Sequence, residues 1–174
     1  MVGFELSVIV ATLLLIGLLY CHDKAVLKKF TATFIGVLLF EYFTQALWLN
    51  KNLARWAYLY LDVSWIITLG WTGIILGSQA IIESRYAKIK EWKRFLLTLG
   101  LVTVIGVLAE GLVRYLGIRE YSSAVQQVLS GYWIAGLVPL EALYYIPVFM
   151  ALVLSFSKYW QINLRQPIKA VKAR

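Results

Sequence analysis

Five apolar segments, at residues 4–20, 30–49, 57–82, 95–116 and 132–156, fill most of this 174-residue chain, with only short polar connections between them. Each is about 17–26 residues long, close to the roughly 17–25 a helix needs to cross the hydrocarbon layer of a membrane. No water is present there to satisfy backbone N–H and C=O groups, so a crossing segment must pair them itself, as a helix does and an open strand does not. The alternating stretches of about ten residues that mark a membrane barrel do not occur. The pattern predicts an all-α, integral membrane bundle of five transmembrane helices over residues 1–157, the third tilted or kinked by its length, followed by a basic tail over 158–174. Charge agrees: 15 % of residues are charged, against about 25 % in an ordinary soluble domain.

Orientation follows from the 17 Lys and Arg. Lys24, Lys28 and Lys29 lie in the first connection, five more between Arg85 and Arg94 in the third, and Lys158, Arg165, Lys169, Lys172 and Arg174 in the tail. The alternate connections hold only Lys51, Arg55, Arg114 and Arg119. Basic residues stay on the cytoplasmic side, so the N-terminus is expected outside and the C-terminus in the cytoplasm of a cell in whose plasma membrane the chain sits. The formal charge of +8 is thus accounted for by topology and by contact with anionic lipid, not by nucleic acid. The opening residues lack the basic stretch of a signal peptide and Tyr20 is a poor cleavage-site residue, so the first segment is expected to be retained. In the connection over 117–131, Ser122 to Leu129 is expected to form a short interfacial helix.

With one cysteine, Cys21, and one histidine, His22, the chain has no intrachain disulfide, Cys/His zinc site or histidine-rich haem site to offer. No aspartate-rich magnesium motif, P-loop or dinucleotide fingerprint is present, and no cofactor is expected. Carboxylates remain. Glu41, Asp62, Glu110 and Glu141 fall inside apolar segments, where an ionisable side chain costs roughly 2.5–3.5 kcal/mol and normally faces the bundle interior. At 1.5 Å per residue, all four lie from the midplane outwards, and the inner half of the spans carries no acid. Glu41, Glu110 and Glu141 are therefore expected to share one cavity as catalytic acids. Glu110 and Arg114, four residues apart, can also simply pair on one helix face, and Asp62 and Glu5 lie near enough to the interface to be solvated.

Seven Trp, 11 Tyr and 8 Phe supply aromatic surface. Trp48, Trp56 and Trp133 fall where an interfacial aromatic belt is normal. Asp62, Trp65, Trp71, Arg114, Trp133, Tyr144 and Tyr145 are the candidates to line a substrate pocket. Gly73 and Gly77 form a small-residue face for helix packing. An acid in an apolar pocket can hold its proton near neutrality, and aromatic faces stabilise a carbocation. Together these suffice to protonate a carbon–carbon double bond. A faint repeat is also visible, Glu41 and Trp65-Ile66 being echoed by Glu110 and Trp133-Ile134.

The stretch Gly117-Ile118-Arg119-Glu120-Tyr121, followed by Gly136-Leu137-Val138-Pro139-Leu140-Glu141-Ala142-Leu143-Tyr144-Tyr145-Ile146-Pro147, resembles the lycopene cyclase domain of small membrane carotenoid cyclases, over about the last third of the chain. The resemblance implies an all-helical isomerase of carotenoid biosynthesis that closes a ring on an isoprenoid, with Glu141 at the first acid of the motif. Ala142 replaces the motif's second acid, and Arg119 stands where Trp is usual. Three readings stand: an enzyme acting on an isoprenoid or other membrane lipid; a non-catalytic subunit or assembly factor, partnered by other membrane subunits or by its own copies; and a small lipid-binding or transport protein.

Overall fold

The computed structural model describes residues 2–163. Five long helices dominate it: α1 (Val2–His22), α2 (Val26–Phe43), α3 (Trp65–Arg85), α4 (Glu91–Tyr115) and α6 (Ala142–Asn163). Four of them, α1, α3, α4 and α6, are long and apolar enough to cross a membrane. The 18-residue α2 carries Lys28, Lys29 and Glu41 and falls short of that description.

Between the helices, apolar sequence expected to be helical is strand. The helix expected over 30–49 starts earlier and stops at Phe43, where the Thr44 hydroxyl and N–H both donate to the Phe40 carbonyl. A 3-10 turn over Gln45–Leu47 then leads into β1 (Trp48–Asn50). The segment expected over 57–82 becomes helical only at Trp65, after a hairpin of β2 (Tyr58–Tyr60) and β3 (Val63–Ser64) that turns through Leu61 at φ 44°. That over 132–156 opens as a hairpin of β5 (Trp133–Ile134) and β6 (Val138–Pro139), turning at Ala135 and Gly136 with φ of 51° and 70°. Pro139 ends this hairpin, and the proline inside α6 is Pro147. Aromatic and β-branched residues score as apolar while favouring strands, which is why hydropathy alone overran these boundaries. The connection over 117–131 contains β4 (Arg119–Tyr121) and the short helix α5 (Ser123–Val128), capped by the Ser122 hydroxyl. The expected tail begins inside α6, which holds Lys158; residues 164–174, with Arg165, Lys169, Lys172 and Arg174, lie outside the described residues.

From α2 onward the chain runs twice through one order: helix, strand, hairpin, helix. The two single strands pair antiparallel, Trp48 with Tyr121, Leu49 with Glu120 and Asn50 with Arg119. Asn50 and Arg119 are 69 residues apart, the same offset as Glu41 and Glu110, so matching positions meet at the end pair of the ribbon. Around this local two-fold, α2 and α4 each pack against both α3 and α6, closing a four-helix ring. Its core holds Val37, Ile75, Val102, Ala142, Ile146 and Met150.

Lipid tails are as apolar as leucine, so helices in a membrane associate by close packing at small residues. Gly106 lets Trp71 of α3 approach α4, a Cβ there falling 2.9 Å from its Cζ3. Gly36 does the same for Phe156. The fifth helix, α1, lies outside the ring against α3, with Thr12 and Leu15 over Gly73 and Gly77. Glu5, expected to be solvated, is wholly buried and accepts a hydrogen bond from the Ala54 N–H at 2.8 Å.

Candidate functional site

All three strand pairs adjoin the ends of the ring helices at which α2 and α4 finish and α3 and α6 begin. At this strand end, α2 presents Glu41, α4 presents Glu110, and β4 inserts Arg119 between them. The three residues are 2 %, 3 % and 3 % exposed. Arg119 Nη2 donates to both Glu41 oxygens, at 2.8 and 3.0 Å. Its Nη1 lies 3.6 Å from Glu110 Oε2, and its Nε donates to Asn50 Oδ1 at 2.9 Å. Asn50 is fixed in turn, its amide donating to the Asp62 carbonyl and its own carbonyl accepting from the Tyr58 hydroxyl.

Glu110 is held differently. The Tyr121 hydroxyl donates to its Oε1 at 3.2 Å, and the Tyr145 hydroxyl lies 2.7 Å from that of Tyr121. With Tyr121 donating to the acid, Tyr145 donates to Tyr121, so a hydroxyl chain runs from α6 to Glu110. Burial works against the Arg119 charge, but the carboxylates of Glu41 and Glu110 outweigh it and hold its pKa above the ordinary arginine value. Burial, then the Glu110 charge, pushes the Tyr121 phenol up as well. Buried ionic groups of this kind hold together only when geometry and hydrogen bonding are nearly complete. Here two carboxyl groups face one guanidinium, so the cluster keeps one acid in excess.

Apolar and aromatic residues enclose this cluster. The Arg119 guanidinium lies 5.2 Å from the ring centre of Trp48, which is 5 % exposed and is not part of a surface belt. On the other side a slot of about 60 Å³ opens between α3 and α4, lined by Ile67, Trp71, Ile74 and Val113 together with Glu110 and Arg119.

The expected residues divide around this centre. Glu41, Glu110 and Tyr145 belong to it, and Trp71 walls the slot. Glu141 does not join the other two acids: it precedes α6, and its Oε1 accepts from the Ser130 N–H at 2.6 Å. Hydrogen bonds from Ser130 lower its pKa, the reverse of what a proton donor needs. Arg114 forms no pair with Glu110; it lies 4.6 and 4.7 Å from the ring centres of Tyr121 and Trp133. Asp62 contributes only its carbonyl, in the turn of the first hairpin. Trp65 donates to the Trp56 carbonyl at 2.9 Å, and Tyr144 is 63 % exposed on the outside of α6.

Arg119, Asn50, Trp48 and Tyr121 were not among the expected site residues. Extending the Glu41/Glu110 repeat by nine residues reaches Asn50 and Arg119, which is the signal that would have found them. The opposite end carries Glu83 in the last turn of α3 and Glu91 in the first turn of α4, both just beyond the apolar segments 57–82 and 95–116. Among the described residues, no three His, Cys, Asp or Glu side chains gather as a metal-binding group. Comparison of the chain with protein-family models, with curated proteins and with solved structures finds no match.

Proposed function

We propose that this chain is a membrane-embedded acid catalyst acting on an isoprenoid-type lipid, with Glu110 as proton donor and the Glu41–Arg119 pair as a fixed electrostatic frame. The observation that carries this reading is that Glu110 belongs both to the buried ionic cluster and to the wall of the apolar slot between α3 and α4. Glu41 has both of its oxygens engaged by Arg119. Glu110, at 3.6 Å, is the group free to carry the excess proton. It transfers that proton to one carbon of a double bond in the slot, leaving a carbocation on the other. Attack by a second double bond of the same molecule closes a ring, and loss of a proton from the ring to Glu110 restores the acid. No electrons are gained or lost, as in the isomerisation that a lycopene cyclase-like protein performs. Trp71 offers its face to the cation, and the Tyr121–Tyr145 hydroxyls link Glu110 to α6.

In this reading all five long helices cross the bilayer, α2 included, because its charges lie at one end or are paired inside the ring. The strand end is external and the basic end cytoplasmic. Labelling Ser84→Cys and Ser123→Cys in a Cys21→Ser background should mark opposite sides of the membrane; marking from one side excludes this topology. For the chemistry, Glu110→Gln preserves shape and removes the transferable proton. Ring formation from an acyclic carotenoid should fall about 10²-fold or more, the scale of general acid catalysis, at unchanged protein yield. Wild-type protein that turns over no such substrate defeats the enzyme reading.

A second reading rests on the small size of the slot, about 60 Å³, and on the position of Arg119 at the local two-fold. The cluster then serves as a staple joining the halves of a non-catalytic subunit, and Glu110→Gln lowers yield and assembly together.

A further inference from the structure

We propose that the basic end of the bundle contains a second site, independent of the acid cluster, that binds a phosphate-bearing headgroup. A cavity of about 320 Å³ lies there, walled by α2, α3, α4 and α6. Five charged side chains line it, and their pairing leaves one cation over. Lys29 lies 3.1 Å from Glu83 and 3.1 Å from Asp23. Lys158 lies 2.6 Å from Glu91. Arg94 is the remainder: its Nε is enclosed without a hydrogen-bond partner, and among the described residues it makes no ion pair.

An enclosed N–H donor with no acceptor carries a desolvation cost of about 1–3 kcal/mol, which a bound acceptor removes. Guanidinium presents a planar fork that suits two oxygens of one phosphate. Counting Asp23, the three cations Lys29, Arg94 and Lys158 face three carboxylates, so what the cavity offers an anion is the unbonded Arg94 donor and not a net charge. Thr98 and Gln79 add neutral hydrogen-bonding groups for ester or headgroup oxygens, while Phe95, Leu154 and Ile162 supply an apolar margin. A cavity with charged groups beside apolar wall, at the end of a membrane bundle, is where a lipid places its phosphate and the first carbons of its chains.

The test uses full-length protein in a neutral detergent, titrated with dihexanoylphosphatidylglycerol, with inorganic phosphate, and with dihexanoylglycerol, which lacks the phosphate. A ligand that binds only the folded state raises the thermal midpoint saturably. The phospholipid is expected to do so and dihexanoylglycerol not. In Arg94→Gln the apparent affinity should fall about tenfold, as expected for loss of a charge-assisted bidentate contact, whereas Arg85→Gln, outside the cavity, should leave it unchanged. Saturation by inorganic phosphate with the same dependence on Arg94 also supports the site, and identifies a free anion as its ligand. No response to either phosphate compound, an equal response to dihexanoylglycerol, or undiminished affinity in Arg94→Gln overturns it. Should Arg94→Gln not accumulate, Arg94→Lys keeps the charge and loses the fork, and unchanged affinity there is equally fatal. None of these measurements depends on Glu110 or on turnover.

Discussion

The two ends of the bundle handle charge in opposite ways. At the strand end, Glu41, Glu110 and Arg119 are sealed among Trp48, Trp71 and Tyr121 and are bonded mainly to one another, to Asn50 and to Tyr121, although Trp48 Nε1 and Arg114 Nη1 beside them are enclosed without a hydrogen-bond partner. At the basic end, Lys158 and Glu91 are 37 % and 67 % exposed beside a cavity of about 320 Å³, and the Nε of Arg94 has no hydrogen-bond partner among the described residues. Coulomb attraction is strong in a dry interior and weak near water, so similar ion pairs carry different weight at the two ends. The strand end holds the ring together, whereas the basic end leaves room for something else.

Removing Arg119 should break this contrast most severely. Arg119→Met leaves two carboxyl groups buried without their cation, and such losses cost about 3–5 kcal/mol; the variant should melt far below wild type or fail to accumulate. A midpoint within error of wild type would mean that the cluster does not hold the halves together. Next comes the ring itself. Gly106→Ala places a methyl 2.9 and 3.0 Å from the Trp71 ring and 3.3 Å from Ile146, and overpacking of this kind costs about 1–3 kcal/mol. Gly100→Ala, on the same helix with nothing within 4 Å, is the control and should be neutral or slightly stabilising. Equal effects in the two variants would refute the close approach of α3 and α4.

Lys158→Gln at the basic end should shift the midpoint by little, as is usual for exposed pairs, and the shift should vanish in high salt. The smallest effect belongs to Glu141. Its pKa is lowered by Ser130, so its contribution is present above the ordinary carboxylate range and fades as pH falls through the folded-state value. Melting of Glu141→Gln should therefore differ slightly from wild type at pH 7, and the two should converge in acid. Divergence on acidification would contradict the Ser130 hydrogen bonds.

The sequence makes the membrane character and the approximate places of the five long helices legible, because apolar runs of that length have few other uses. Glu41 and Glu110 stand out as well, since a carboxylate is conspicuous in an apolar run. Arg119 does not stand out. A basic residue in a connection looks like ordinary topology, and only the pairing of β4 with β1 turns it inward. Trp48 is hidden for a related reason, because tryptophan near a helix end normally marks an interface. Glu141 misleads in the other direction: its segment is apolar enough to pass for helix, but the chain is a hairpin until Pro139 and the acid sits before the first turn of α6.

Glu41 and the guanidinium that neutralises it are separated by 78 residues. At about 5–20 residues per second, the ribosome releases Glu41 roughly 4–16 s before Arg119 exists. During that interval α2 carries an acid with no cation of its own to meet. Only when β4 emerges and adds itself to β1 can the helix take its final place, so the nascent first hairpin waits, incomplete, for the second. A chain interrupted between these two points cannot form the buried cluster at all.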